Sequence, residues 1–255
     1  MSHFNLSNIK NVLIVGAGHG IGFALAEELV SRLGGCHIFS TYRNPNDAQP
    51  LLDLGKNNSS NLTTICLDPT SEVDLDGLFQ KISQQVNSLD LVINCVGTLY
   101  DDQHKPEKSL KQISSENLIK YFTVNSVVTP LLGKYFLPLL RKSEISLIAS
   151  ISAKVGSIKD NSLGGWYGYR ASKAALNMFI KTMAVEFSNL KIPCISLAIH
   201  PGTTDTHLSK PYIGRSHLKV HSPKETAVNI LKIIDQKELA DSGRFISWDG
   251  SEIPW

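Results

Sequence analysis

The pattern of the chain predicts an α/β fold: one doubly wound parallel sheet with helices on both faces. Three observations carry this. Short β-branched runs alternate with segments of helical period along the whole length, which implies parallel strands joined by right-handed crossovers. A glycine-rich turn joins the first run to the first helical segment. No internal repeat, linker or composition break divides the 255 residues, so 1–255 are expected to form one domain, although that length would also suit two small ones.

The first run, Asn11-Val12-Leu13-Ile14-Val15, ends in Gly16-Ala17-Gly18-His19-Gly20-Ile21-Gly22. Helical spacing follows over 23–33, with Ala24, Leu25 and Leu29 as the apolar stripe. In such a context glycine permits the tight turn and lets the backbone approach a pyrophosphate, whose charge the helix N-terminus stabilises. Dinucleotide binding at Gly16, Gly18, His19, Gly20, Ile21 and Gly22 is the expectation. The plain alternative is a generic strand-to-helix turn, but that seldom needs four glycines in seven residues.

A second strand, 37–41, leads into Tyr42-Arg43-Asn44-Pro45. In dinucleotide folds the residue about 20 positions past the glycines meets the adenosine ribose. Arg43 lies 21 beyond Gly22, and no Asp or Glu ends this strand. A carboxylate there would bond the ribose 2′-hydroxyl and repel a 2′-phosphate, whereas a guanidinium pairs with the phosphate. NADP(H) is therefore expected over NAD(H); the alternative for Arg43 is a solvated loop residue.

Residues 45–61 read as a polar loop, and 62–67 as a third strand closed by Asp68-Pro69-Thr70. Asp68 either accepts from an adenine amino group or caps the turn that follows. A helix over 75–86 precedes a strongly apolar strand, 89–96, ending in Asn94-Cys95-Val96-Gly97. Asn94 and Gly97 would lie at the strand's C-terminal edge, where open α/β sheets bind ligands. After a surface loop, 100–115, one long helix is expected over 116–141 with Asn125 in its middle. Asn is a poor helix-interior residue, so Asn125 either faces solvent or holds a backbone carbonyl or a water.

A fifth strand, 145–149, is followed by the hydroxyl-rich turn Ser150-Ile151-Ser152-Ala153-Lys154-Val155-Gly156-Ser157. The next helix begins Trp166-Tyr167-Gly168-Tyr169-Arg170-Ala171-Ser172-Lys173 and continues to about 187. Residues four apart share a helix face, so Tyr169 and Lys173 point the same way. A phenol alone titrates near ~10, and an ammonium beside it favours the phenolate, which would make the pair a general acid/base. The competing reading is an ordinary amphipathic-helix tyrosine beside a solvated lysine. A sixth strand, 192–198, precedes His200-Pro201-Gly202-Thr203-Thr204-Asp205-Thr206; then come a polar loop, 207–222, a helix, 223–236, and a last strand, 243–248. In the loop, Lys210, Arg215 and Lys219 either attract an anionic group or are solvated charges. The apolar end Ile253-Pro254-Trp255 is expected to pack, on its own core or across a subunit interface.

Composition narrows the function further. A net charge of +2 without any basic run argues against a nucleic-acid binder. No apolar stretch is long enough to span a bilayer, and residues 1–10 do not resemble a signal peptide. Cys36, Cys66, Cys95 and Cys194 are too far apart for a zinc site or disulfide framework, so buried free thiols, no metal and a cytoplasmic location are expected.

The glycine turn, the Asn94–Gly97 element, the serine-rich turn, Tyr169-x-x-x-Lys173 and Pro201-Gly202-x-x-x-Thr206 occur in one order that resembles the short-chain dehydrogenase/reductase family over essentially the whole chain. Gly164-Gly165-Trp166-Tyr167 with the Tyr169–Lys173 helix start, and the Trp248–Trp255 ending, look like the C-factor and sniffer-like carbonyl reductases. The resemblance implies a Rossmann-type fold and hydride transfer between a nicotinamide and a carbonyl or alcohol. It implies Tyr169 as acid/base and Lys173 as its electrostatic partner on the nicotinamide ribose. Ser152 would polarise the substrate carbonyl, and Asn125 would hold a relay water. Gly16, Gly20 and Gly22 would form the pyrophosphate turn, with Asp68, Asn94 and Gly97 on the strand edge. Pro201, Gly202, Thr204 and Thr206 would sit near the carboxamide. A homodimer or homotetramer acting on a small molecule is implied too.

The chain departs from the family pattern at Val15, Gly18 and Cys95-Val96, and in the 17-residue interval from Ser152 to Tyr169. Ser150 therefore remains an alternative to Ser152, whose spacing to Gly156 fits the family turn better. Tyr167 has Ala171 four residues on, so it lacks the lysine and is expected as a pocket wall. A dinucleotide-binding sensor or signalling protein with little turnover is the second reading of function; such a protein has no chemical need for the Tyr/Lys pair.

Overall fold

In the computed structural model, residues 3–101, 105–213 and 219–255 are described. Seven strands form one parallel sheet in the order β3-β2-β1-β4-β5-β6-β9. The strands are β1 (Asn11–Val15), β2 (His37–Tyr42), β3 (Leu62–Cys66), β4 (Leu91–Asn94), β5 (Ser146–Ile151), β6 (Cys194–His200) and β9 (Arg244–Ser247). A small parallel pair, β7 (Thr203–Thr204) and β8 (Val220–His221), stands apart.

The period-2 alternation of each strand sorts its side chains onto two cores. Val12, Ile14, Ile38, Leu147 and Leu197 face one layer, built with α1 (Gly20–Arg32) and α7 (Pro223–Ile234). Leu13, Val15, Phe39, Val92 and Ile148 face the other, under α3 (Glu72–Ser83), α5 (Val128–Leu140) and α6 (Tyr167–Asn189). Strand order reverses between β1 and β4, which opens a crevice at the C-terminal edge where the two halves diverge. No helix among the described residues is long and apolar enough to cross a membrane.

Several boundaries differ from the sequence expectation. The segment read as a polar loop contains α2 (Gln49–Asn57), whose Leu51 is buried in the α1 layer with Leu54 packed against it. Three leucines, Leu51, Leu52 and Leu54, in a polar, asparagine-rich stretch were too short a stripe to show a helix. Helix α1 begins at Gly20 rather than at 23, so the last glycines of the turn are its first residues.

The long helix expected over 116–141 is broken. It consists of α4 (Ser115–Phe122), a π turn over Thr123–Val127, and α5. The wider turn is centred on Asn125, in keeping with the way π-bulges mark functional sites. Cys66 is exposed, not buried, while Cys36 and Cys194 are buried and Cys95 is half-buried. The C-terminal residues pack on their own chain: Ile253 is buried, and Trp255 stacks on Phe245 with ring centroids 5.7 Å apart.

Between β4, β5 and α5 lies a buried polar chain. Asn94 Nδ2 donates to Thr129 Oγ1 at 2.9 Å, and Thr129 Oγ1 shares a hydrogen bond with Ser150 Oγ at 2.9 Å. Thr129→Val keeps the shape and leaves the Asn94 donor unpaired, so it should cost about 1–3 kcal/mol in urea unfolding. An unchanged midpoint would contradict this.

Candidate active site

The glycine turn is a place that side chains cannot enter. Gly16 and Gly20 have φ of +84° and +58°, values at which glycine alone is unstrained. A Cβ on Gly22 would stand 2.2 Å from the Gly16 carbonyl oxygen. The turn is tied to β2, with Gly16 N donating to Thr41 Oγ1 at 3.2 Å and Ala17 N to Thr41 O at 2.7 Å. His19, at the N-cap of α1, is extended, and no side chain caps the helix. The first amides of α1 are thus left for an anion. A cradle that a Cβ would fill and an uncapped helix N-terminus together fit a dinucleotide pyrophosphate.

Gly16, His19, Gly20, Ile21 and Gly22 line a cleft that opens to solvent. Its floor comes from Cys95, Val96 and Gly97 after β4, and its far wall from Ser152, Tyr169 and Lys173. Pro201, Gly202, Thr204 and Thr206 close the remaining side. Burial pushes the Cys95 thiol up to about 12, so it stays protonated and is no nucleophile at neutral pH. At the mouth, burial first, with Lys154 adding to it, depresses the His200 ring to about 4 and keeps it neutral.

Tyr169 and Lys173 share a face of α6, as the spacing predicts. Lys173 Nζ donates to Ile151 O at 2.8 Å and lies 5.9 Å from the centroid of the Tyr169 ring. Burial lowers the Lys173 ammonium to about 8, slightly opposed by Cys95. The Tyr169 hydroxyl is pushed up by burial, against the sequence expectation that Lys173 lowers it. Desolvation outweighs a lysine that is itself close to losing its charge.

The serine-rich turn resolves into two environments. Ser150 points into the buried chain with Thr129 and is absent from the cleft lining, whereas Ser152 lines the cleft. Ser152 Oγ, however, donates to Asn177 Oδ1 at 2.6 Å, and Asn177 Nδ2 has no partner among the described residues. Two residues of the turn, Ala153 and Val155, pack in the cluster of Leu99, Tyr121 and Tyr169.

Three of the expected site residues have protein partners in the structure. Asn94 is buried on Thr129 and Val96, because its amide turns the chain out of β4. Gly18 is where β2 and α2 press on the turn: a Cβ there would meet the Tyr42 and Ala48 Cβ atoms at 3.3 and 3.4 Å. Asn125 uses its whole amide on protein groups. Its Oδ1 accepts from Thr98 N at 2.7 Å, and its Nδ2 donates to Thr98 O at 3.0 Å and Ser172 Oγ at 3.1 Å. It pins the loop after β4 to the helix that carries Tyr169.

Arg43 is exposed just beyond β2, and Asp68 follows β3 at the same sheet edge. Burial would raise the Asp68 carboxyl, but hydrogen bonds from Thr70 and the Arg43 charge outweigh it and hold it below its usual range. Thr70 N and Oγ1 reach Asp68 Oδ1 at 2.9 and 2.7 Å, so Asp68 does cap its turn.

Tyr167 is exposed and no pocket wall. Trp166 packs beside Tyr169 without itself lining the cleft, its ring meeting those of Tyr169 and Tyr212 edge-on at 6.1 and 4.9 Å. Lys219 lies over Trp248, away from the cleft, Lys210 does not line it, and Arg215 lies outside the described residues. Sequence reasoning quoted Trp166 only as part of a family-like motif and missed Tyr212, Asn177 and Glu107, which no motif spacing marks.

A model of the family described as short chain dehydrogenase matches residues 10–214. The crystal structure of NADPH-bound carbonyl reductase from chicken fatty liver superposes with a TM-score of 0.85 at 26% identity, covering 97% of this chain and 99% of that one. Carbonyl reductase Sniffer of Drosophila melanogaster gives 0.85 at 27%, covering 97% and 100%. C-signal of Myxococcus xanthus is 29% identical over 147 residues, 58% of this chain and 84% of its own.

Gly22→Ala should abolish nicotinamide-dinucleotide binding in a fluorescence titration, because its Cβ would collide with the Gly16 carbonyl. Retained affinity would contradict the cradle.

Proposed function

Because this chain belongs to the short chain dehydrogenase family and is an oxidoreductase, we propose that it interconverts a carbonyl and an alcohol with NADP(H). All of residues 1–255 would form the one dinucleotide-binding catalytic domain. A homodimer or homotetramer in the cytoplasm is part of the proposal and comes from the family resemblance. The observation that carries the chemistry is Tyr169 beside the buried Lys173, in a cleft whose opposite wall is an uncapped helix N-terminus.

Bound there, the cofactor supplies or accepts the hydride at its nicotinamide. The glycine turn holds the pyrophosphate on the amides of α1. Arg43 favours a 2′-phosphate, and the chicken reductase structure, which holds NADPH, supports that choice. Lys173, anchored on Ile151 O, places its remaining protons on the ribose side of the cleft and its charge beside Tyr169. Tyr169 keeps its proton at neutral pH and gives it to the oxygen of the carbonyl being reduced; the reverse reaction returns it. Asn125 acts by holding Thr98 and Ser172 in register rather than by presenting its amide to a water.

Ser152 polarises the carbonyl if its proton turns into the cleft. Rotation of the Asn177 amide puts Nδ2 on Ser152 Oγ, which satisfies the buried donor and releases the hydroxyl proton. The second reading follows from Ala153: the group beside Tyr169 is a methyl, and Tyr169 alone polarises the carbonyl. The partly buried rings of Trp166 and Tyr212, packed in the cluster around Tyr169, suit a flat, largely apolar carbonyl compound.

Four outcomes test this. Tyr169→Phe should lower kcat by about 10²–10⁴ with NADPH affinity intact, as loss of general acid catalysis predicts. Ser152→Ala should cost about 10² or more if it donates to the carbonyl; a small loss, with a gain in Ala153→Ser, would favour the second reading. Arg43→Ala should weaken NADPH by roughly tenfold and leave NADH unchanged, a loss of about 1.5 kcal/mol at this exposed site. Equal losses for both cofactors would rule out 2′-phosphate recognition. Lys173 is charged below its value of about 8 and neutral above it, so NADPH affinity of the free protein should fall as pH rises through about 8. Lys173→Met should flatten that profile.

A further inference from the structure

Glu107 is buried to 1% of its surface in a segment without regular structure, and it touches neither the glycine turn nor the cleft lining. Its backbone carbonyl accepts from Trp166 N at 2.5 Å, and its Oε2 accepts from Gly168 N at 3.1 Å. Oε1 has no partner among the described residues. Helix α6, which carries Tyr169 and Lys173, has no side-chain cap from its own N-cap residue. The buried carboxylate does that work from 61 residues away, where the helix dipole favours negative charge.

The segment it holds is strained. Gly164, Gly165 and Trp166 have φ of +64°, +64° and +51°, three left-handed residues in a row. Glycine takes this conformation freely, but tryptophan holds it only under strain. On the other side Arg170 Nε donates to Gly164 O and Gly165 O at 3.2 and 3.0 Å. The turn is thus gripped by Glu107 and Arg170, and its product is a Trp166 ring set edge-on against Tyr169 and Tyr212.

We propose that Glu107 is a positioning residue that, with Arg170, holds Trp166 in its left-handed conformation and so builds the substrate-side wall beside Tyr169. Its selectivity arm rests on the carbonyl reductase reading, while its structural arm does not. A chain with Trp166 freed would keep cofactor and chemistry but lose its grip on large, flat substrates.

Two measurements decide it. The chain has three tryptophans, so Trp248→Phe with Trp255→Phe leaves Trp166 as the sole emitter. In that background Glu107→Ala should raise acrylamide quenching of Trp166 about twofold, as expected for release of a packed ring, and Glu107→Gln, whose amide oxygen still accepts from Gly168 N, should not. In the otherwise unaltered chain, Glu107→Ala should raise KM for a bulky aromatic ketone about tenfold, the worth of one packed aromatic contact. KM for a small aliphatic aldehyde and NADPH affinity should hold, and Trp166→Ala should show the same split. If Glu107→Ala does not fold, Trp166→Ala and the Glu107→Gln rescue still carry the test. Unchanged quenching, or equal KM losses for both substrates, overturns the proposal. Altered quenching in a chain that reduces neither compound upholds the clamp and counts against the carbonyl reductase reading instead.

Discussion

The site depends on keeping one lysine amine inside the protein. Lys173 is 3% exposed, and among the described residues its ammonium donates to a main-chain carbonyl, Ile151 O, at the end of β5. Burying an ammonium so is costly unless neighbouring dipoles and an anionic ligand compensate. The surroundings are arranged for that. The serine-rich turn passes so close to α6 that a Cβ on Gly156 would lie 2.8 Å from the Lys173 Cβ. Asn125 ties the loop after β4 to Ser172, next to the lysine, through a π turn that bends the helix to reach it. A partly neutral lysine and a fully protonated tyrosine are the resting state that results, and a bound dinucleotide would supply the missing charge partner.

That arrangement explains what the sequence made legible. Short continuous β-branched runs identified the strands because both faces of a parallel sheet are buried, and the helical spacing of α6 placed Tyr169 and Lys173 together. The four glycines marked the turn because steric exclusion is a local property. Contacts made between distant segments left no such trace. Asn94 carried the expected residue type at the expected edge, yet its amide is spent on Thr129. Glu107 lies in a polar stretch that resembles any surface loop, and only the fold brings it to the start of α6. Helix α2 was missed because a single buried leucine, Leu51, is a weak stripe in an asparagine-rich stretch.

The two halves of the cleft follow different physics. The cofactor side is backbone: glycine, main-chain amides and a helix end, which tolerate little change because a single Cβ blocks them. The Tyr169 side is side chain: Tyr121, Trp166, Tyr212 and Ala153 pack in one cluster with it. Within one family the first is bound to a common ligand, while the second is free to vary with the carbonyl compound. The strained tryptophan belongs to this second half.

The most direct test of hydride transfer is isotopic. The protein would be incubated with NADPH bearing deuterium at the transferable position of the nicotinamide and with a panel of aldehydes and ketones, and the products examined by mass spectrometry. The account predicts an alcohol carrying deuterium on its carbinol carbon. Tight NADPH binding with no deuterated alcohol from any member of the panel would contradict it and point to a protein that senses the dinucleotide.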